Sequence, residues 1–366
     1  MLLLSLKLAN FKNYSLQALE LSPRLNCFVG LNGMGKTNLL DAVHVLCLTR
    51  SHRGLPDKNL PLHGESFFRV EGVFERNDER SKVAVKFVNG QRKEVERNGV
   101  EFTKLTDFIG LFPVVMIAPD DISLVQEGSE ERRRFLDNTL SQIFPEYLHQ
   151  LLVYNGLLKQ RNALLKLFAE QRRFDEALLE AIDRQMPRPA QVLLEKRRAF
   201  VDLFVPLFQE LYSAIAGEHE QVSIALESDI PNGDFAALLA ANLEKDRALE
   251  RTSSGPHRDD LSLALNGQPV KKFASQGQLK SFLLAMRLAQ YEVLRLEKGT
   301  APLLLLDDIF DKLDEQRVRQ LVGLLIQRDF GQLFITDTQR QRIEAVVSSF
   351  SGDYKIFDVQ NGSIQP

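Results

Sequence analysis

The chain has 366 residues, with no tryptophan, only two cysteines and a formal net charge of only -3. Two cysteines, Cys27 and Cys47, are too few for a disulfide framework or a cysteine-based metal cluster. Both lie in apolar segments, so we expect two small buried side chains in a reducing compartment. The near-neutral charge gives no global sign of nucleic-acid binding, so any such surface must be local.

Long hydrophobic runs are also missing. No uninterrupted apolar run approaches the length of a membrane span, although 44% of the residues are apolar. The segment from Met1 to Leu8 lacks the basic leader and the small-residue cleavage site of a signal peptide. Its leucines at alternate positions predict a strand instead. We therefore expect a cytoplasmic protein, long enough for two domains.

The chain does contain a complete phosphate-loop motif, G-x-x-x-x-G-K-[ST], from Gly30 to Thr37. A buried strand is predicted over Leu25 to Val29, and apolar residues then recur at helical spacing, so the glycines fall at a strand-to-helix turn. Backbone N–H groups of such a turn surround phosphate oxygens, and the helix adds its positive dipole end. We predict that Lys36 reaches the β- and γ-phosphates and that the Thr37 hydroxyl binds Mg²⁺. The predicted nucleotide-binding residues are Gly30, Leu31, Asn32, Gly33, Met34, Gly35, Lys36, Thr37 and Asn38.

The middle of the chain changes character twice. From Phe67 onward, alternating apolar residues and the turn signals Asn89-Gly90 and Asn98-Gly99 predict an antiparallel β flap, with Val114 to Ile117 as its terminal buried strand. Between about Glu130 and Arg251, long leucine-rich helices are predicted, with no heptads sustained enough for an extended coiled coil.

Basic residues cluster within the helical part, first at Arg132-Arg133-Arg134 and later at Lys196-Arg197-Arg198. Such clusters more often belong to a solvated helix face than to a DNA-binding surface. The clusters by themselves therefore do not decide function.

Two later motifs supply groups that suit a triphosphate. An apolar strand, Leu303 to Leu306, delivers Asp307 to hold the water shell of Mg²⁺ beside Thr37, and Asp308 to position attacking water as the catalytic group. An aspartate cap on the following turn is the plainer alternative. Before this strand, the tetrapeptide Ser275-Gln276-Gly277-Gln278 opens a predicted helix, where a hydroxyl, a flexible backbone N–H and a dipole end suit a γ-phosphate.

The order of these motifs, followed by Leu313-Asp314, is similar to that of ABC-type ATPases of the SMC/Rad50 group. Within that group, three strings resemble the RecF family: Gly30 to Asp41, Pro119-Asp120-Asp121 followed by Gly128 and the segment from Arg132 to Asp137, and Ser254 to Leu261. The resemblance implies an α/β fold, an ABC-type P-loop ATPase head with a mixed sheet and an antiparallel β flap. It also implies an inserted helical lobe without a long coiled coil. We expect the first ATPase part over 1–125, the helical lobe over 126–253 and the second ATPase part over 254–366.

The resemblance further implies an ATP-driven homodimer that binds double-stranded and gapped DNA and hydrolyses ATP slowly as a switch. Ser275, Gln276, Gly277 and Gln278 would act as the signature in trans on the partner's ATP, with Asp314 in the dimer-crossing loop. RecR would be the direct partner, with RecO and RecA as indirect partners in repair and replication restart. Arg53 resembles a position near the γ-phosphate or DNA, and an ordinary surface arginine is an equal alternative.

The sequence departs from the RecF pattern at several positions. Asp41 replaces a usual glutamate, Asp311-Lys312 replaces Ser-Glu, and Thr336-Asp337-Thr338 stands where many ABC proteins carry a histidine that senses the γ-phosphate.

Two other classes of protein share the ATP-binding motifs and are alternative functions. A structural DNA clamp of the SMC or Rad50 kind would need a long coiled coil for bridging, and a transporter's nucleotide-binding subunit would not explain the Gly-Pro-His-Arg-Asp-Asp string.

Overall fold

The structure, a computed structural model, describes residues 1–217, 219–230, 234–310, 315–328, 330–350 and 352–365, without the side chains of 315 and 316. The chain divides into two compact units. The first unit comprises Met1–Ile122, Glu210–His219 and Gln276–Pro366, and the second comprises Ser123–Gln209 and Glu220–Ser275. The second unit therefore begins three residues before the predicted lobe boundary at 126 and extends well beyond the predicted end at 253.

The strands are β1 (Leu2–Phe11), β2 (Tyr14–Glu20), β3 (Leu25–Val29), β4 (Phe67–Arg76), β5 (Glu79–Val88), β6 (Glu94–Arg97), β7 (Val100–Glu101), β8 (Val114–Ile117), β9 (Val222–Glu227), β10 (Asp260–Leu265), β11 (Gln268–Pro269), β12 (Leu303–Leu306), β13 (Leu333–Asp337), β14 (Tyr354–Gln360) and β15 (Ser363–Gln365).

The α-helices are α1 (Lys36–Leu48), α2 (Ser123–Gln126), α3 (Ser129–Ile143), α4 (Pro145–Gln171), α5 (Glu176–Asp183), α6 (Pro187–Ala216), α7 (Phe235–Ala241), α8 (Leu243–Leu249), α9 (Val270–Phe273), α10 (Gln276–Lys298), α11 (Glu315–Gln327) and α12 (Arg340–Ser348).

An antiparallel sheet in the first unit has the strand order β2-β1-β4-β5-β6-β7. It contains the predicted flap, and Asn98-Gly99 forms the turn between β6 and β7 with positive φ at both residues. The predicted N-terminal strand is also confirmed, but its register shifts between Leu3 and Ser5. Because a shift of one residue exchanges the faces of a strand, Leu3, Leu6 and Leu8 are buried rather than the even-numbered leucines alone.

A mixed sheet in the same unit has the order β15-β14-β3-β13-β12-β8. The strand Val114–Ile117 belongs to this mixed sheet. The prediction that it ends the antiparallel flap is therefore wrong. This strand pairs in parallel with β12, from Val114 beside Leu303 to Ile117 beside Leu306. All four residues of β8 are buried, and a strand without an exposed face needs the cover on both sides that a parallel sheet provides.

Helix α1 lies in the core between these two sheets. Eleven of its residues, including Leu39 and Val43, are buried. The apolar ones share one cluster with Val70 of the antiparallel sheet and with Leu305 and Phe334 of the mixed sheet. The helix that begins at the phosphate loop is therefore fixed from both sides. Cys27 and Cys47 also lie in this unit, fully buried, and burial raises the pKa of Cys27 to about 12.

The second unit is not only helical. The three-stranded sheet β11-β10-β9 accompanies its helices, and the sequence analysis did not predict β9. Two buried arginines join its distant segments. Arg161 contacts Asp183 and Asp246, while Arg197 on α6 donates to Asp137 (2.8 Å), to Asp259 (2.7 Å) and to the carbonyl of Pro256 (2.6 Å). The cluster at Lys196-Arg197-Arg198 therefore contains an internal ion pair.

One helical stretch, Glu176–Ala216, has the length and composition to cross a membrane, with a mean hydropathy of 1.3. Its apolar residues follow one side of α6, where Phe200, Phe204, Phe208 and Leu211 recur at helical spacing and are all buried in the protein. This side of α6 therefore packs inside the protein.

Replacing Arg197 with methionine should destabilise the second unit strongly. The side chain of Asp259 is fully buried, and removing its partner leaves a carboxylate without a counter-charge, at a cost of about 3–5 kcal/mol. As a control, Arg184→Met removes an exposed pair with Glu180 and should cost less than about 1 kcal/mol. Urea unfolding, followed by circular dichroism, measures both, and equal midpoints for the two variants would contradict this account of Arg197.

Candidate functional site

The phosphate loop connects β3 to α1 in the first unit, as the sequence predicted. Helix α1 begins at Lys36, and its N-cap Gly35 has φ 116°. Gly33 also has a positive φ, of 82°. Glycine adopts this backbone conformation without the strain that a side chain would introduce.

The glycines also leave space that a side chain would fill. A Cβ atom on Gly30 would lie 2.3 Å from the carbonyl oxygen of Val359, and one on Gly35 would lie 2.4 Å from Nδ2 of Asn13. A Cβ on Gly33 would meet nothing within 4 Å. The ends of the loop are therefore pressed against neighbouring backbone and side chains, while its middle is open.

Asn13 and Tyr14 hold the loop from the β1–β2 turn, and the sequence analysis missed both. Asn13 Nδ2 donates to the carbonyl of Met34 (3.1 Å), and its Oδ1 accepts from Asn38 Nδ2 (2.8 Å). The hydroxyl of Tyr14 donates to the carbonyl of Gly35 (3.0 Å), and burial raises the pKa of this phenol. Nothing in a short Asn-Tyr sequence distinguishes these residues from an ordinary turn.

The ammonium group of Lys36 lies over its own loop. Its Nζ donates to the carbonyls of Gly30 (2.8 Å) and Leu31 (3.3 Å) and lies 3.8 Å from Oδ1 of Asp308. The side chain is only 3% exposed. The Lys36 ammonium and the positive end of the α1 dipole therefore both lie beside the open middle of the loop. Together they would favour an anion bound there.

Asp307 lies at the end of β12 and joins three segments of the first unit. Its Oδ1 accepts from the hydroxyls of Thr37 (3.0 Å) and Thr336 (2.8 Å). Burial raises the pKa of Asp307, with the charge of Asp308 adding to the effect and the two hydroxyls opposing it. The predicted pair of Thr37 and Asp307 is therefore brought together by the parallel register of β12, β13 and β3.

These two oxygens fit a magnesium ion. Octahedral Mg²⁺ with bonds of about 2.1 Å places adjacent ligands about 3.0 Å apart, and the Thr37 hydroxyl lies 3.0 Å from the Asp307 carboxylate. Both are oxygen donors, and Asp307 is buried beside the loop. The donor set suits a hard divalent cation that also contacts a phosphate.

Asp308 follows with an unusual backbone, since its φ is 44°. Its N–H donates to the hydroxyl of Thr336 (2.8 Å), so this threonine holds both aspartates. Oδ1 of Asp308 is buried and has no hydrogen-bond partner among the described residues. An acceptor of this kind, beside the phosphate loop, is available to a water molecule.

The signature tetrapeptide lies where the sequence predicted, since α10 begins at Gln276. Ser275, the last residue of the second unit, is exposed, as is Gln276. Gly277 packs against Arg317, whose NH1 would lie 3.0 Å from a Cβ at that glycine, and Arg317 Nε donates to Ser281 Oγ (2.9 Å). Asp314 of the predicted dimer-crossing loop, together with Asp311-Lys312, lies outside the described residues.

The loop after α1 is held by two buried carboxylates. Asp41 accepts from the Ser51 hydroxyl (2.8 Å) and the His52 N–H (2.7 Å) and pairs with Lys12 (2.6 Å). Burial opposes its ionisation, but Lys12, His44 and the His52 N–H outweigh burial and lower the pKa of Asp41. The shorter carboxylate at this position therefore reaches its partners in this chain.

The second carboxylate is Asp121, which the sequence analysis quoted but gave no role. It contacts His52 Nε2 (2.9 Å) and Arg287 (3.1 Å). Burial opposes its charge, but Arg287 and His52 lower the pKa of Asp121 to about 2. Arg53 is half exposed and pairs with Asp120 at 3.2 Å, so the structure places it on the loop that these carboxylates fix.

The fold and the site together define a P-loop ATPase head of the SMC type. The family model for the RecF/RecN/SMC N terminal domain matches residues 2–365. The Smc head domain of Pyrococcus furiosus has the same fold, with a TM-score of 0.58 at 17% identity over 100% of this chain and 95% of that one.

More similar proteins narrow the family. The DNA replication and repair protein RecF of Flavobacterium johnsoniae is 45% identical over 97% of this chain and 99% of that protein. RecF of Porphyromonas gingivalis (strain W83) is 41% identical over 100% of both chains. A solved structure of the recombination mediator RecF with ATP, from the RecFOR pathway, has a TM-score of 0.89 at 29% identity, covering 100% of this chain and 97% of that one. The chain belongs to the RecF family.

Gly35→Ala should damage the loop more than Gly33→Ala. Both positions have positive φ, but only Gly35 is in contact with Asn13 and Tyr14, so its replacement adds a clash to backbone strain of about 1–3 kcal/mol. We expect at least a tenfold loss of fluorescent-ATP affinity and a lower melting temperature for Gly35→Ala than for Gly33→Ala. Equal stability of the two variants would show that the contacts of Gly35 do not constrain the loop.

Proposed function

We propose that this protein is an ATP-dependent, DNA-binding recombination mediator. It dimerises on ATP, binds gapped or junction DNA and assists the loading of RecA in repair and replication restart. The observation that carries the proposal is the junction of Thr37, Asp307 and Thr336 beside a complete phosphate loop, in a chain that matches RecF over its full length. The ATP of the solved RecF structure supports the choice of nucleotide.

Within one copy, Lys36 is the group that a triphosphate would recruit first. Its present acceptors are mainly neutral loop carbonyls, whereas phosphate oxygens carry a negative charge that adds direct Coulomb attraction to the hydrogen bond. Lys36 then exchanges these carbonyls for β- and γ-phosphate oxygens. Mg²⁺, when bound by Thr37 and Asp307, would neutralise phosphate charge.

Asp308 orients the attacking water through Oδ1, which has no hydrogen-bond partner among the described residues and lies 3.8 Å from Lys36 Nζ. Thr336 fixes the aspartate by accepting its backbone N–H, so a hydroxyl does part of the positioning that a histidine does in many ABC proteins. The water oxygen forms a bond to the γ-phosphorus, the bond from that phosphorus to the β,γ-bridging oxygen breaks, and Asp308 receives or relays the water proton. ADP and inorganic phosphate are the products.

ATP acts as a switch because part of its binding site exists only in the dimer. Ser275 and Gln276 are exposed, which fits a signature that contacts the γ-phosphate held by the partner copy. Contacts present in one state alone shift the equilibrium toward that state. Slow hydrolysis then reopens the dimer and releases DNA.

The cellular setting follows the family. We propose a cytoplasmic, nucleoid-associated protein that binds RecR directly and works with RecO and RecA. We propose that the ATPase motifs belong to 1–125 and 254–366 and the helical lobe to 126–253, while the compact second unit that contains the lobe extends to Ser275.

Ser275→Arg should abolish the ATP-dependent increase in mass while leaving ATP binding to one copy intact. Gel filtration with ATP or ADP, with and without gapped duplex, measures the mass and DNA retention. Lys36→Arg should lose both ATP binding and dimerisation. Ser348→Arg, at another exposed serine, is the matched control and should behave as the wild type. If ATP leaves the wild-type mass and DNA retention unchanged, the switch mechanism is wrong.

Asp308→Asn should lengthen the life of the ATP-bound dimer, because it removes the charge that orients water. General-base groups typically contribute 10²–10⁴-fold to rate, so we expect single-turnover hydrolysis to fall by at least about 10²-fold. Aspartate is one methylene shorter than glutamate, and we propose that this keeps hydrolysis slow, so Asp308→Glu should shorten the lifetime. Asp353→Asn, at an exposed aspartate, serves as the control. An unchanged lifetime in Asp308→Asn would exclude this role.

A further inference from the structure

Four large apolar side chains in the described part of the chain are more than about 60% exposed. They are Leu16 (79%), Val100 (71%), Leu31 (70%) and Phe273 (66%). Leu16 and Val100 lie on β2 and β7, the two edge strands of the antiparallel sheet. Leu31 lies in the phosphate loop, and Phe273 lies two residues before Ser275 of the signature.

Phe273 is held in its exposed position by the short helix α9. Val270, at the start of that helix, is 1% exposed and anchors it. Lys271, Lys272 and Phe273 all lie exposed along the remaining turn. The ring is therefore presented to solvent by an anchored element.

Leu31 is held in the same way by the phosphate loop. Its carbonyl accepts from the N–H of Met34 (3.4 Å), a backbone hydrogen bond that the proposed movement of Lys36 leaves in place, while its side chain is exposed. Single exposed apolar residues are normal on proteins. Here, however, two such residues adjoin the two motifs that face each other in the proposed dimer.

The charges next to Phe273 in the sequence also favour contact with the phosphate loop of a second copy. No aspartate or glutamate occurs from Leu261 to Ser275, a segment of the second unit in which the exposed Lys271 and Lys272 directly precede Phe273. Two exposed lysines beside the ring are complementary to a phosphate loop that holds a triphosphate. The occupant that fits this surface is a second, ATP-loaded copy of the chain.

We propose that Leu31 of one copy and Phe273 of the other form an apolar contact across the ATP-bound dimer interface. The inference rests on the proposed ATP-dependent dimer and adds two residues to it. Closure removes both side chains from water, and this burial favours the dimer alongside the signature's contacts with phosphate. The twofold relation gives two such contacts per dimer.

A double-mutant cycle tests the contact. The dimer dissociation constant is measured by sedimentation with a slowly hydrolysed ATP analogue, for Leu31→Ala, Phe273→Ala and the double variant. Each single variant should weaken the dimer about tenfold or more, and the double variant should be little weaker than either one, because the two side chains act as a pair. Phe273→Leu, which stays apolar, should recover most of the loss.

Controls separate the possible failures. Leu16→Ala and Val100→Ala remove equally exposed apolar side chains and should change the dissociation constant less than about twofold. ATP affinity of the dilute single copy should stay unchanged in Phe273→Ala, Leu16→Ala and Val100→Ala. Because Leu31 lies in the phosphate loop, ATP affinity is measured for Leu31→Ala and the double variant, and their dimers are compared at saturating nucleotide. If the wild type does not dimerise with ATP, the proposed function fails. If it dimerises but the two losses are simply additive, or absent, the contact proposed here is wrong.

Tryptophan and cysteine variants test the contact between Leu31 and Phe273 independently. The chain has no tryptophan, so Phe273→Trp supplies a single fluorophore, whose emission should shift to the blue on ATP addition and not when Ser275→Arg is also present. Mixing a Leu31→Cys copy with a differently tagged Phe273→Cys copy should give an ATP-dependent product with a short bismaleimide, because Cys27 and Cys47 are buried. Absence of the shift or of the cross-linked pair would overturn the contact.

Discussion

The carboxylate of Asp307 is the point on which the proposed site depends. It accepts hydrogen bonds from Thr37 at the start of α1 and from Thr336 in β13, and Thr336 in turn accepts from the backbone of Asp308. Residues about 270 and 29 positions apart in the chain are thus held by one buried group. Because burial makes its charge costly, Asp307 depends on these two hydroxyls, and a bound Mg²⁺ would supply the compensating positive charge.

A comparable arrangement of buried charge orders the second unit. Asp259 pairs with Arg197, and Asp260 forms two hydrogen bonds with Arg132. The Gly-Pro-His-Arg-Asp-Asp string, which first served as a mark of family resemblance, therefore has a physical role in packing. Its histidine belongs to the same arrangement, since His257 accepts from the Tyr154 hydroxyl and donates to the carbonyl of Thr252, while burial lowers its pKa to about 4. Such networks are weak sources of net stability, but losing one partner is costly, which explains why the residues occur together.

The sequence predicted the elements whose signals are local. The phosphate-loop turn, the start of α10 at the signature and the strand that ends in Asp307 and Asp308 each combine a periodic apolar pattern with a characteristic terminal residue. Prediction from the sequence was wrong or incomplete where a residue's role depends on contacts with residues far along the chain. Val114–Ile117 was assigned to the wrong sheet, because four consecutive apolar residues show that a strand is buried but do not name its neighbours. Asn13 and Tyr14 were missed because a two-residue turn carries no sign that its side chains support a loop 21 positions away.

The sequence by itself determined the chemistry: which backbone turn can surround phosphate, which carboxylates end a buried strand, and which family the motifs resemble. These are properties of neighbouring residues, so local order is enough to express them. Only the tertiary structure decided which of these groups meet, because parallel strand register and the burial of α1 between two sheets bring Thr37, Asp307 and Thr336 together. Exposure was decided in the same way. A leucine and a phenylalanine are ordinary core residues by composition, and only the packing of the whole chain leaves Leu31 and Phe273 facing solvent.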